Sequence, residues 1–279
     1  VSLREDITYL INGKRPSRTG WVRVNCPACE TRQGTPDRKF SMGVHLPTGR
    51  WHCFRCASRG HVASDGFEHE VDEVEPTPAI EQPEAFFELF DGPGATSHAL
   101  ERARRYVLWR GIPEQVAREV KIGACTRGRM FNRIVVPVLD AHGTWQWYVG
   151  RDFTDRAERR YLYPSGGRVG VMFNSAALDI DTDVPLLVVE GCFDALPHWP
   201  HAAAFLGKPT EPHFERLLLA RRPICVVLDG DAWEEGEAFA WRLALEGVNA
   251  SAVRLPPATD PNDYGADDLM QAARNSLYA

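Results

Sequence analysis

The chain has 279 residues, 44% of them hydrophobic, and a formal net charge of -6. That size and apolar content suit one large or two modest domains with true cores. No stretch has the length and apolarity of a membrane span and the first residues lack a signal-peptide core, so a cytoplasmic protein is expected.

The negative total conceals segregation along the chain. Residues 1–63 carry eleven Lys/Arg against four Asp/Glu, and residues 99–170 carry fourteen against seven. Residues 64–98 hold ten acids and no Lys or Arg, and residues 171–279 hold seventeen acids against seven bases. Two basic bodies able to meet phosphates therefore alternate with an acidic tether and an acidic body.

Within residues 1–63, Cys26-Pro27-Ala28-Cys29 and Cys53-Phe54-Arg55-Cys56 form two C-x₂-C knuckles. Four thiolates at such spacing in a small basic module point to a closed, structural Zn²⁺ site. A disulfide pair is the competing reading, and nothing in the chain points to secretion. Arg23, Arg32, Arg38, Lys39, Arg50, Arg55 and Arg59 surround the knuckles together with Trp21, Phe40, Trp51 and Phe54. Basic residues contact phosphates and aromatics stack on unpaired bases, which is the composition of a single-strand reader. Phe54 reads as ribbon core, whereas Trp51 suits core or base stacking. Cys125, Cys192 and Cys225 are isolated and read as small core residues.

Residues 64–94 are acidic and proline-bearing with little apolar periodicity, so a flexible linker is predicted there. Ser97 then suits the N-cap of a helix running to Arg110, closed by Gly111 and Pro113, with a second short helix to Val120. Arg133–Val138 and Thr144–Val149 read as a β-hairpin. Beyond Val184 the order strand, helix, strand, helix implies a βαβ sheet. Its two most informative strands are Leu186–Val189, which breaks into Glu190, and Ile224–Leu228, which breaks into Asp229 and Asp231. Continuous apolar runs are strands buried on both faces of a parallel sheet, whose ligands sit at the carboxyl ends. Three carboxylates on one rim need a compensating cation, and hard divalent ions take oxygen ligands. A single Asp in such a loop is more often an N-cap; three at neighbouring strand ends favour metal-dependent phosphate chemistry.

Val189-Glu190-Gly191 and Leu228-Asp229-Gly230-Asp231 resemble the two signatures of the TOPRIM domain of topoisomerases, DnaG-type primases and some nucleases. Thr259-Asp260-Pro261-Asn262-Asp263 is similar to the Asp-Pro-Asp stretch of bacterial primases, with Asn262 at the position of the second Asp; Asp263 is the candidate substitute. Arg133-Ile134-Val135-Val136-Pro137, Gly150-Arg151 and Arg160-Tyr161-Leu162 resemble the basic subdomain of the DnaG-type core, with Val136 where Phe is usual and Arg160 where Lys is. The cysteine module is similar to the N-terminal zinc-binding domain of phage and bacterial primases, its all-Cys set being closer to the phage enzymes.

The resemblance implies a mixed α+β and α/β chain of four parts: a zinc ribbon that recognises template (1–63), an acidic flexible linker (64–94), a basic subdomain (95–180) and a TOPRIM catalytic sheet (181–279). It implies a primase making oligoribonucleotides from NTPs on single-stranded DNA. No P-loop lysine motif is present, so any replicative helicase is expected on a separate chain. Asp229, Asp231 and Asp260 would hold Mg²⁺ or Mn²⁺, and Glu190 would be a further ligand or the proton-transfer group. Arg133, Arg151 and Arg160 would contact template or NTP phosphates, with Lys121 and Arg159 as weaker candidates; Lys208 suits a triphosphate contact or a plain surface charge. The rivals are a RecR-like mediator, whose zinc element directly precedes its TOPRIM domain, and a TOPRIM nuclease. A type IA topoisomerase is disfavoured, since the chain leaves no room for tyrosine-bearing gate domains.

Overall fold

The computed structural model describes residues 3–16, 20–46, 49–53, 55–56, 58–62, 80–140, 143–165 and 170–278. The linker residues 64–79 and Phe54 lie outside them.

The N-terminal module pairs helix α1 (Leu3–Ile11) with an antiparallel sheet in the order β1-β2-β3-β4. Its strands are β1 (Trp21–Val24), β2 (Met42–His45), β3 (Arg50–Cys53) and β4 (Arg59–His61), with a short helix α2 (Ala28–Gln33) after the first knuckle. Ile7 and Ile11, one helical turn apart, pack with Val22, Val24, Met42, Val44 and the four cysteines in one small core. Trp51 belongs to that core and is only 8% exposed. On β3 it pairs with Val44 of β2, and its burial in the ribbon core speaks against the base-stacking role that its sequence position also suits.

The middle body is an antiparallel five-stranded sheet, order β5-β6-β7-β8-β9. It comprises β5 (Phe86–Glu88), α3 (Gly92–Thr96), α4 (Glu101–Trp109), α5 (Glu114–Glu119), β6 (Gly123–Cys125), β7 (Arg133–Leu139), β8 (Trp145–Asp152) and β9 (Tyr161–Leu162). The hairpin expected from the sequence is β7–β8, in register from Arg133–Asp152 onward. Phe86–Glu88, read in sequence as linker, is instead the edge strand, paired with Gly123–Cys125. Gly123 accepts the Phe86 ring because it has no Cβ, which would stand 2.1 Å from that ring. The helix begins later than read: Ser97 precedes a 3₁₀ turn at His98–Leu100 without a side-chain cap, and α4 starts at Glu101. Gly111, with φ of 73°, closes it as expected.

The C-terminal sheet is wholly parallel, order β11-β10-β12-β13. In chain order it runs β10 (Leu186–Val189), α6 (Cys192–Ala195), β11 (Ala202–Ala204), α7 (Glu211–Leu217), β12 (Ile224–Val226), α8 (Trp233–Leu245), β13 (Ala250–Ala252) and α9 (Ala266–Tyr278). Strand alternation divides its core. Leu187 and Val189 face α6, α9 and the middle body, while Leu186 and Val188 face α7 and α8. Each such fully buried side chain contributes about 1.5–3 kcal/mol. Because the middle sheet and one face of the parallel sheet share a single core, β8 and β9 are held beside the carboxyl ends of β10 and β12. Cys125, Cys192 and Cys225 are buried, as the sequence suggested. Among the described residues no helix is long and apolar enough to cross a membrane.

Candidate metal and catalytic sites

Cys29 and Cys53 Sγ lie 3.6 Å apart and Cys26 and Cys56 Sγ 3.8 Å apart. All four sulfurs fall within 4.8 Å of one another, and all are buried. A tetrahedron with Zn–S bonds of about 2.3 Å has edges of about 3.8 Å, so the donor set fits zinc. The surroundings order the knuckle and act on its thiols in opposite senses. Asp37 accepts the backbone N–H groups of Cys26, Lys39 and Ser41 at 2.7–2.9 Å. Burial acts to raise its carboxyl, but those amides outweigh burial and hold it at about 2. Burial also raises the Cys29 thiol to about 11, whereas at Cys56 the Ser58 hydroxyl and amide overcome burial and hold the thiol at about 6.

The second site is a cavity of about 250 Å³ where the two sheets meet. Glu190, Gly191, Cys192, Phe193 and Asp194 line one side, Leu206, Gly207 and Asp229 another, and Val149, Tyr161 and Tyr163 the third. Chain reversal after β10 places Glu190 and Asp194 there. The Glu190 carbonyl accepts Gly207 N–H at 3.0 Å, and the turn at Gly191 starts α6. Asp229 follows β12, and Asp231 sits on the next turn, where its Oδ1 accepts Ala258 N–H at 3.2 Å.

These acids strain one another electrically. Burial, then the charges of Asp260 and Asp229, push the Asp194 carboxyl up to about 7, with Arg110 and Arg151 pulling the other way. Burial, then Glu190, Asp260 and Asp231, push Asp229 up to about 6. Asp229 Oδ1 is buried with no hydrogen-bond partner among the described residues. An orphaned carboxylate oxygen amid mutually repelling acids fits a hard divalent cation. Among the described residues only the cysteines gather three or more ligand atoms within 4.8 Å, so the acids form an open rim. Such a rim suits an ion that keeps some of its water.

Asp263, the candidate substitute at the Asn262 departure, is tied to Asp260, and both act on the charge of Asp229. Its Oδ2 accepts Asp260 N–H at 3.0 Å while Asp260 Oδ1 accepts Asn262 N–H at 3.1 Å, a reciprocal cap on the 261–263 turn. His198 holds the same turn through Nε2 and the Pro261 carbonyl at 2.9 Å.

The basic candidates separate into three groups. Arg133 is buried, and its guanidinium donates to the carbonyls of Arg159 at 2.7 Å and Arg160 at 2.8 Å, so it braces the loop before β9. Arg151 is also buried, donating from Nε to Tyr106 Oη at 2.6 Å and from Nη1 to Tyr161 Oη, with its guanidinium 5.0 Å from the Phe193 ring. Its charge acts on Asp194. Arg159 and Arg160 are exposed beside the cavity's Tyr161, and Lys208 beside Gly207 is exposed and paired with Glu235 at 3.1 Å. Lys121, on the turn after α5, does not line the cavity.

Sequence reading gave no role to Asp194, Arg110 or Tyr106. The signal for Asp194 is an acid four residues after Glu190, in the helix start that follows a buried strand. Arg110 and Tyr106 carry no such signal, since α4 meets the cavity only through tertiary packing.

No family profile matches the sequence, and no curated protein does. Solved structures do. The zinc-binding and RNA polymerase domains of Aquifex aeolicus primase match 99% of this chain and 83% of theirs, at 19% identity and a TM-score of 0.55. A DnaG catalytic core matches 68% of this chain and 75% of its own at 21% identity, with a TM-score of 0.53. A DnaG primase catalytic domain bound to single-stranded DNA matches 65% and 73% at 19% identity, with a TM-score of 0.54. The chain thus has the fold of a primase zinc-binding module joined to a primase core.

Proposed function

We propose that this protein is a DNA-dependent RNA primase, joining NTPs into short oligoribonucleotides on single-stranded DNA. The observation that carries this reading is the rim of Glu190, Asp194, Asp229, Asp231 and Asp260 between a parallel sheet and a basic sheet, in a chain that also carries a Cys₄ module. In the reaction a primer 3′-hydroxyl attacks the α-phosphate of the incoming NTP. A new P–O bond forms, the bond to the bridging β-oxygen breaks, and pyrophosphate leaves.

Asp229, Asp231 and Asp260 would hold Mg²⁺ or Mn²⁺, with Glu190 as a further ligand or as acceptor of the hydroxyl proton. When bound, the cation offsets charge on the reacting phosphate and lowers the pKa of the hydroxyl. Arg151 and Arg110 offset part of the negative charge around Asp194, and Arg151 also donates to the Tyr161 hydroxyl at the cavity wall. Arg159 and Arg160, presented by the loop that Arg133 braces, supply exposed charge for phosphates. The first 63 residues would read template sequence, and the Cys₄ site would hold zinc.

The test is incubation of the whole chain with labelled NTPs, Mg²⁺ or Mn²⁺ and a panel of single-stranded DNA templates. Template-dependent oligoribonucleotide ladders are expected. Shortened DNA without ladders would instead mark a TOPRIM nuclease, and DNA binding with neither product a RecR-like mediator.

A further inference from the structure

Trp109, the last residue of α4, is 76% exposed. Single exposed apolar residues are ordinary on protein surfaces; the surroundings of this one are not. Its ring lies 5.8 Å from Tyr106, whose ring in turn lies 6.3 Å from Phe153 and 6.0 Å from the Arg151 guanidinium. Arg151 stands 5.2 Å from the Tyr161 ring and 5.0 Å from that of Phe193, and both of those rings line the cavity of the acids. A continuous row of rings and one guanidinium therefore runs from the acidic rim to the surface, and Trp109 is its uncovered end.

The charge beside this end is positive. α4 carries Arg102, Arg104 and Arg105 against Glu101, and Arg110 follows it. Arg104 is engaged with the Gly94 and Ser97 carbonyls, whereas Arg105 is 70% exposed, with only a surface contact of 3.5 Å to Glu101. Arg110 Nε is buried with no partner among the described residues. Trp241 on α8 provides the contrast. It is 66% exposed but shares its helix with Glu234, Glu235 and Glu237, and its neighbour Arg242 is paired with Glu211 at 2.8 Å.

An exposed indole flanked by arginines recognises a nucleobase by stacking while the arginines meet its phosphates. We infer that Trp109 is a stacking platform for an unpaired base of the single-stranded DNA that the cavity copies. Tyr106 and Arg151 separate it from Glu190 and Asp229, which places it outside the cavity where an NTP would be held by its phosphates. The inference rests on the proposed priming activity, but its test does not require primer synthesis. Since every base offers a π-face, the platform would raise affinity with little sequence preference.

The experiment measures binding of labelled single-stranded oligo-dT and oligo-dA, and of a blunt duplex, to the whole chain by fluorescence anisotropy. Trp109→Ala should weaken binding of both single strands about tenfold, within the range of one base–aromatic stack. Duplex binding should not change, Trp109→Phe should keep most of the affinity, and Trp241→Ala should bind as the parent does. Equal single-strand affinity for the parent and Trp109→Ala would overturn this inference and leave the proposed function standing. An unchanged single-strand affinity with a raised KM for NTPs would move the ring to the nucleotide and likewise overturn it. A parent chain that binds no single-stranded DNA would overturn both readings. Because the side chain is exposed, the thermal melt of Trp109→Ala should match that of the parent.

Discussion

Gly230 lies so close to Pro256 that a Cβ at this position would stand 1.9 Å from the Pro256 carbonyl oxygen. Its own N–H donates to the Thr259 carbonyl at 2.9 Å, so the backbone between Asp229 and Asp231 is clamped to the segment that leads to Asp260. Gly230→Ala must separate the two, and a misplacement of about 1 Å at a reacting centre costs about 10²-fold. NTP incorporation should fall by at least that order while the metal content of the Cys₄ module is unchanged. An active Gly230→Ala variant would show that the spacing of these acids is not critical.

Arg133 is expected to act on stability before it acts on DNA. Its buried guanidinium donates to the Arg159 carbonyl and shares the Arg160 carbonyl with the Asp152 N–H, and truncation removes the donor at Arg159 and the brace across both. Arg133→Ala should lower the free energy of unfolding by about 2–4 kcal/mol in a urea titration. Arg133→Lys should recover little of it, because an ammonium cannot bridge two carbonyls in the planar fork of a guanidinium. Normal stability with weakened DNA binding would restore Arg133 to the phosphate contacts.

The acidic rim should make the cation-free protein sensitive to pH. Folding raises Asp194 to about 7 and Asp229 to about 6, both from about 3.8. Between those limits the folded state binds more protons than the unfolded one, so stability is full below pH ~4 and is lost as pH rises through 6 and 7. Protein dialysed free of Mg²⁺ and Mn²⁺ should melt lower at pH 7.5 than at pH 5.5. Added Mg²⁺ should reverse the loss at pH 7.5, and Asp194→Asn should flatten the dependence. A melt that rises over this interval in the cation-free protein would contradict the raised carboxyls.

The Cys₄ module should depend on its metal independently of the core. Replacing fully buried Cys29 by Ser removes one of four sulfurs from a core of about a dozen side chains. Hydrogen exchange should show residues 20–62 unprotected in Cys29→Ser, with β10 and β12 as protected as in the parent. Absence of stoichiometric zinc from the purified parent would remove this assignment.

The parts of the fold that the sequence discloses are those where burial or ligand chemistry dictates residue type. β10 and β12 are legible because a strand covered on both faces admits only apolar residues. The cysteine spacing is legible because few other arrangements need it. β5 is hidden in an acidic stretch because an edge strand takes its register from its partner, here Gly123–Cys125. Trp51 is ambiguous in sequence because ribbon core and base stacking select the same side chain, and only its burial separates them. Arg133 and Arg160 read alike in sequence, since nothing local tells an arginine aimed at carbonyls from one aimed at solvent. The contacts of Arg151 with Tyr106, Tyr161 and Phe193 join residues up to 45 positions away, beyond any local pattern.

The most direct measurement is pyrophosphate release on single-stranded DNA by the parent chain, Asp229→Asn and Asp231→Asn, with oligoribonucleotide products resolved in parallel. The amide variants keep side-chain size and remove one charge each from the rim. Template-dependent release and ladders are expected from the parent, with a loss of about 10²-fold or more in each variant at unchanged fold, in keeping with removal of a group that stabilises transition-state charge. Near-parental synthesis by both variants would contradict the assignment of nucleotidyl transfer to this acidic rim.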